Sequence, residues 1–222
     1  MRELAACPDV AGVLFFGSAA RGTVAPRSDI DLYAITYADA GGHLGRRIHN
    51  VPVEVSFGSV AQMEAMMRRE QPIIVHAFAT GLVLLDRTDG KLASLCTEAM
   101  TLWESGPSPI AASAALRFQF RLTDIVRDLE DMPDRSVATT LVGAECVRLA
   151  LETFCAVKQI WMPPMRDVLA TLQERDATFG ALIRECVEAG FPGSAAVQIG
   201  DLVLVMLGGR LDSYDTADIA VE

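Results

Sequence analysis

Residues suited to soft-metal or redox chemistry are few in this chain. The five cysteines, Cys7, Cys96, Cys146, Cys155 and Cys186, are odd in number and scattered, and none forms a C-x-x-C pair. That excludes the usual zinc and dithiol patterns, so they are expected as reduced thiols in apolar surroundings. Histidine is scarcer still: His43, His49 and His76 have no metal-ligand spacing, are read as structural or exposed, and receive no role. Long apolar runs are missing. The longest, such as Leu202 to Leu207, fall far short of the roughly 20 residues a membrane helix requires. The segment Met1-Arg2-Glu3-Leu4 lacks an apolar signal core with a small-residue cleavage site, so the expected location is the cytoplasm. Basic charge is also in short supply. With 19 Lys and Arg against 29 Asp and Glu the formal charge is -10, which disfavours broad affinity for nucleic acid, because such binding neutralises phosphates with Lys and Arg.

What is present describes a folded protein. Hydrophobic residues make up 51% and charged residues 22%, and 222 residues suffice for one large or two small cores. Val10 to Phe16 is an apolar run ending at Gly17-Ser18, which predicts a buried strand entering a tight turn. Ile30 to Ile35 reads as the next strand. In Val51 to Phe57 the alternation puts the valines and Phe57 on one face and Glu54 on the other. Ser59 and Gln62 form a capping box opening a helix through Glu70, Pro72 begins another that ends at Gly81, and Leu82 to Leu85 is a short strand. Gly41-Gly42 and Gly208-Gly209 read as turns.

A helix over about Asp89 to Trp103 precedes Glu104 to Pro109, a concentration of turn formers that marks the expected boundary between a domain at 1–104 and one at 105–222. The second is expected to be helical. Phe118, Leu122, Ile125 and Leu129 give one apolar face to a helix over about Ile110 to Met132, and a second helix is expected from Val137 to Ile160. The acid excess lies mostly in this half, net -7 against net -3 for the first.

The stretch from Phe16 to Leu32 carries the chemistry. Gly17 permits a turn without a Cβ, so backbone N–H groups and the Ser18 hydroxyl can approach phosphate oxygens, with Arg21 adding charge. Ser28 suits an end cap for the same turn. Asp29 and Asp31 stand two apart on an expected strand, so both carboxylates project from one face and repel unless cations lie between them. Mg²⁺ resolves that repulsion, and it commonly bridges carboxylates to substrate phosphates.

With Gly17-Ser18, Asp29-x-Asp31 and the later carboxylate Glu54 in order, the chain resembles the DNA polymerase β-like nucleotidyltransferase superfamily over roughly residues 10 to 104. Within it the chain resembles the aminoglycoside-nucleotidyltransferase-like or minimal type with a C-terminal helical domain. The resemblance implies an α+β fold, with a mixed-sheet catalytic core followed by an α-helical bundle that binds substrate or is accessory. It also implies two Mg²⁺ ions held by Asp29, Asp31 and Glu54, and ATP or another nucleoside triphosphate bound by Gly17, Ser18, Arg21 and Ser28. Lys158, beside Trp161-Met162-Pro163-Pro164-Met165-Arg166, is a further candidate for the triphosphate.

In the second half, Glu145, Arg148 and Glu152 fall at i, i+3 and i+7 and form a stripe on one helix face. Glu145 and Glu152 are candidate acceptor contacts, against the alternative of a solvated, internally paired stripe. The expected reaction is Mg²⁺-dependent transfer of a nucleoside monophosphate to a hydroxyl on a small molecule, a cationic aminoglycoside-like compound fitting the acidic second half. Competing readings are modification of a protein or RNA, and a nucleotide-sensing or antitoxin-like binding protein. No membrane partner is expected, and the oligomeric state is left open.

Overall fold

The computed structural model describes residues 2–213; Met1 and 214–222, at the outer ends of the two expected domains, lie outside the described residues. The chain forms two compact units, Met1–Pro107 and Ser108–Glu222. The fold is α+β, with a mixed sheet and helices in the first unit and helices alone among the described residues of the second.

The first unit is organised by five strands: β1 (Val10–Phe16), β2 (Ile30–Thr36), β3 (Gly42–Ile48), β4 (Val51–Ser59) and β5 (Leu82–Asp86). Their order is β3-β4-β2-β1-β5. Only β2 and β4 run parallel; the other neighbours are antiparallel. Side-chain alternation divides the sheet into two faces. On one, Leu14, Tyr33 and Ile35 are buried against α3 (Val60–Arg68), α4 (Pro72–Thr80) and α5 (Lys91–Ser105) through Met63, Met67, Phe78, Leu92 and Leu95. On the other, Val10, Val13, Leu32 and Val53 form a smaller cluster joined by Leu4 of a short helix, α1 (Arg2–Ala6). A Cβ at Gly12 would stand 2.8 Å from a Leu92 methyl and 3.3 Å from the Leu85 carbonyl, so β1 packs too closely there for a side chain.

Local signals set the helix starts. Ser59 Oγ accepts from the Gln62 N–H at 3.2 Å while the Ser59 N–H donates to Gln62 Oε1 at 3.1 Å, the reciprocal box that opens α3. Pro72 stands in the first turn of α4. One reading is corrected: Gly42 is the first residue of β3 rather than part of a turn. A Cβ there would meet Phe57 Cζ at 2.5 Å, so glycine lets the edge strand lie beside the Phe57 ring.

The second unit contains α6 (Ala112–Glu130), α7 (Val137–Val157), α8 (Val168–Arg175), α9 (Ala177–Glu188) and α10 (Gly193–Met206). Its core gathers Leu122, Val126 and Leu129 of α6 with Cys146, Leu149, Ala150 and Phe154 of α7 and Ile199 and Val203 of α10. Phe154 and Phe179 stack with centroids 4.0 Å apart. Helix α7 stops three residues before the expected Ile160 because Gln159 adopts φ 53°, and the Ile160 N–H then returns to the Cys155 carbonyl at 2.8 Å. Arg210 joins α6 to α10, its guanidinium donating to Asp201 at 2.6 and 2.7 Å and to Glu130 at 2.8 Å twice.

Candidate active site

Strand register builds the site. Antiparallel pairing aligns Phe16, the last residue of β1, with Asp31, and parallel pairing aligns Asp31 with Glu54 on β4. The end of β1 and two carboxylates therefore lie in one row across three adjacent strands, and Asp29 stands immediately before β2. One oxygen from each of Asp29, Asp31 and Glu54 falls within 4.8 Å of the others, and all three residues are half-buried. Three carboxylates so close repel one another, and a hard divalent cation with oxygen ligands is the group that offsets this. The donor set therefore fits Mg²⁺ or Mn²⁺.

Gly17 follows β1 with φ 79°, in the left-handed region that costs other residues about 1–2 kcal/mol. A Cβ there would stand 2.9 Å from Asp31 Cγ and nearer still to its Oδ2, so the glycine also leaves room for the carboxylate. The chain then makes one short helical turn, α2 (Gly17–Ala20), with Arg21 as its C-cap. Ser18 is 6% exposed, and its hydroxyl lies 3.5 Å from Ser28 Oγ. Ser28 Oγ in turn accepts from the Ala25 N–H at 2.8 Å, and Thr23 returns both its N–H and its hydroxyl to the Ser18 carbonyl. The loop from Gly17 to Ser28 is thus folded back on itself, with Ser18 and Ser28 adjacent and Arg21 exposed.

The remaining candidates lie in the second unit. Lys158 is exposed at the C-cap of α7, its ammonium 6.0 Å from the Phe154 ring centroid. Glu145 accepts two hydrogen bonds from Arg148, at 2.7 and 2.8 Å, and lies 3.7 Å from Arg121 of α6. Arg148 also pairs with Glu152. Hydrogen bonding from Arg148 holds the Glu145 carboxyl below the usual carboxylate range.

Strand β3, which carries His43, has no buried face and so no apolar pattern in the sequence. The hairpin joining β3 to β4 turns on His49 and Asn50, both with positive φ (48° and 67°), and aligns Ile48 with Val51. An Asn in a two-residue connection is the available signal for such a hairpin. The register sets His43 opposite Ser56, with Nδ1 3.2 Å from Ser56 Oγ and Nε2 3.5 Å from Glu54 Oε2.

Comparison with known proteins gives one family match, over the N-terminal part of the chain. Residues 1–65, which contain all three carboxylates and the Gly17–Ser28 loop, match the family model described as a nucleotidyltransferase domain. No curated protein matches the chain. Among solved structures, the chain is similar to a nucleotidyltransferase-like protein from Exiguobacterium sibiricum 255-15, with 14% identity, a TM-score of 0.45, and coverage of 93% of this chain and 71% of that one. The family match is thus confined to the N-terminal part of the chain, which carries a nucleotidyltransferase domain over residues 1–65.

Proposed function

We propose that the protein transfers a nucleoside monophosphate, AMP from ATP in the first instance, to a hydroxyl of a small acceptor in a reaction that requires Mg²⁺. The observation that carries this reading is the convergence of Asp29, Asp31 and Glu54 beside a glycine whose missing Cβ makes room for Asp31. One carboxylate just before β2, one on β2 and one on β4 suit a pair of divalent ions shared with a triphosphate. Bound Mg²⁺ supplies positive charge to the phosphate oxygens as the transferring group passes from pyrophosphate to the acceptor.

The chain's own groups divide the remaining work. Asp29 and Asp31 hold the cations. Backbone N–H groups after Gly17 and the Ser18 and Ser28 hydroxyls bind phosphate oxygens, and exposed Arg21 contributes a charged contact. Glu54 completes the cation site and accepts the proton of the acceptor hydroxyl as its oxygen bonds to the α-phosphorus and the bond to the leaving pyrophosphate breaks.

Lys158, Glu145 and Glu152 belong to the same proposal with roles in triphosphate and acceptor contact. The net -7 of the second half favours a cationic acceptor. Because Arg148 and Arg121 already pair with Glu145, an acceptor amine there has to displace a guanidinium. Pyrophosphate release from MgATP, measured across a panel of hydroxylated amines, neutral sugars, RNA and proteins, tests the reading. Release stimulated by one class and absent in Asp29→Asn identifies the acceptor. Nucleotide binding with no release for any class favours a binding protein instead.

A further inference from the structure

The β3–β4 hairpin holds a feature that the acidic cluster does not account for. Directly opposite Glu54 on β3 stands Gly45, around whose Cβ position nothing lies within 4 Å. The side chain that reaches Glu54 from β3 is therefore the diagonal neighbour, His43, two residues along on the same face. Its ring is engaged at both nitrogens, Nδ1 at 3.2 Å from Ser56 Oγ and Nε2 at 3.5 Å from Glu54 Oε2. A carboxylate only accepts, so hydrogen bonding across this 3.5 Å contact requires the N–H on Nε2, the tautomer in which Nδ1 accepts from the Ser56 hydroxyl.

Glutamate has three side-chain torsions, and the Glu54 side chain is 47% exposed on its strand, so burial does not fix its rotamer. An imidazole N–H orients the carboxylate without the permanent charge of a guanidinium, which would compete with a metal ion for it. Carboxylates that ligate metals are themselves hydrogen-bonded for this reason. We propose that His43, with Ser56 behind it, is a positioning residue that turns the Glu54 carboxylate toward Asp29 and Asp31. The proposal rests on the reading of those three carboxylates as the cation site.

Mn²⁺ binding followed by electron paramagnetic resonance tests it without an acceptor. His43→Ala is expected to weaken Mn²⁺ binding about three- to tenfold, below the usual effect of roughly 10–100-fold because the contact is half-exposed. His43→Gln, whose amide N–H can take the place of the ring N–H, should restore most of that loss. In a Glu54→Gln background the same His43→Ala change should have no further effect, since its partner is already altered. His43 is exposed on an edge strand, so the thermal midpoint should not move. Wild-type affinity in His43→Ala, an equal loss in Ala and Gln, or an undiminished loss in the Glu54→Gln background would each overturn the assignment. Asp31→Asn separates the two levels. If it abolishes Mn²⁺ binding while His43→Ala is silent, only the histidine's role fails. If it leaves Mn²⁺ binding intact, the cation site itself is elsewhere.

Discussion

The carboxylate of Asp31 occupies the space in which a side chain on residue 17 would begin. A Cβ on Gly17 would lie 2.9 Å from Asp31 Cγ, and the backbone there has φ 79°. Backbone freedom and the placement of the Asp31 carboxylate are therefore coupled at one position, where β1 ends beside β2.

Gly17→Ala should consequently lower Mn²⁺ affinity about as much as Asp31→Asn, because the methyl group drives the carboxylate from its place. It should also cost about 1–2 kcal/mol of stability from the left-handed backbone. Mn²⁺ titration combined with urea denaturation separates the two effects. Unchanged metal affinity would mean that Asp31 does not act from its observed position.

Phosphate contacts should differ in size according to charge. Ser18→Ala is expected to weaken MgATP binding by about 0.5–1.5 kcal/mol and Arg21→Ala by about 1.5–3 kcal/mol, since charge-assisted hydrogen bonds are the stronger kind. Calorimetry with and without Mg²⁺ checks both. Tight ATP binding in the absence of metal would contradict the shared role of metal and loop.

The stripe on α7 yields a test that combines salt and pH. If Glu145 and Glu152 attract a cationic acceptor, its apparent affinity should fall as salt rises and fall further in a Glu145→Gln, Glu152→Gln variant, while ATP affinity stays nearly constant. The carboxyl of Glu145 is held low by Arg148, so the stabilisation from that pair is present above the ordinary carboxylate range and is lost as pH falls through the depressed value. No change from this source is expected between pH 6 and 8. Side-chain exposures of 39% for Arg148 and 44% for Glu145 keep the pair's contribution small, so Arg148→Ala should cost less than about 1 kcal/mol in thermal or urea unfolding.

Buried thiols give the second unit an alkaline limit. Burial pushes Cys146 up to about 12 and Cys155 to about 11, from an ordinary 9.0. Above pH 9 the unfolded chain releases these protons while the folded chain keeps them, so stability should fall between pH 9 and those values. A Cys146→Ala, Cys155→Ala variant should show a shallower loss from pH 8 to 10 in urea denaturation. At pH 8 both thiols should resist iodoacetamide until the chain is unfolded. Rapid labelling in the native state would contradict their burial.

The carboxylates of the candidate site were legible because each stands on, or next to, an element with a strong local signal. Asp31 lies on an apolar strand after the Gly-Ser turn, and alternation alone separates Glu54 from the valines of β4. What brings them together is strand register, a long-range property: the parallel alignment of Asp31 with Glu54 spans 23 positions and appears in no local pattern. Strand β3 was hidden for the opposite reason. Its sequence Gly42-His43-Leu44-Gly45-Arg46-Arg47-Ile48 has two glycines and three basic or imidazole side chains, and every residue is exposed, so no buried face imposed a pattern. Glycine in that strand serves the Phe57 ring at Gly42 and leaves open space at Gly45, and both facts depend on the neighbouring strand. Of the later helices, α8 is short and α10 is apolar over much of its surface, which blurs the period that located α6, whereas α9 keeps a periodic buried face at Phe179, Ile183 and Cys186.

Asp29, Asp31 and Glu54 are proposed to direct a nucleotidyl transfer rather than another reaction of a triphosphate. The most direct measurement follows label from ATP carrying ³²P at either the α or the γ position, with the acceptor class that stimulates pyrophosphate release. The α-label is expected in the acceptor product and the γ-label in the leaving pyrophosphate, and Asp31→Asn should abolish both. Transfer of γ-label to the acceptor, its release as inorganic phosphate, or full activity in Asp31→Asn would contradict the proposal.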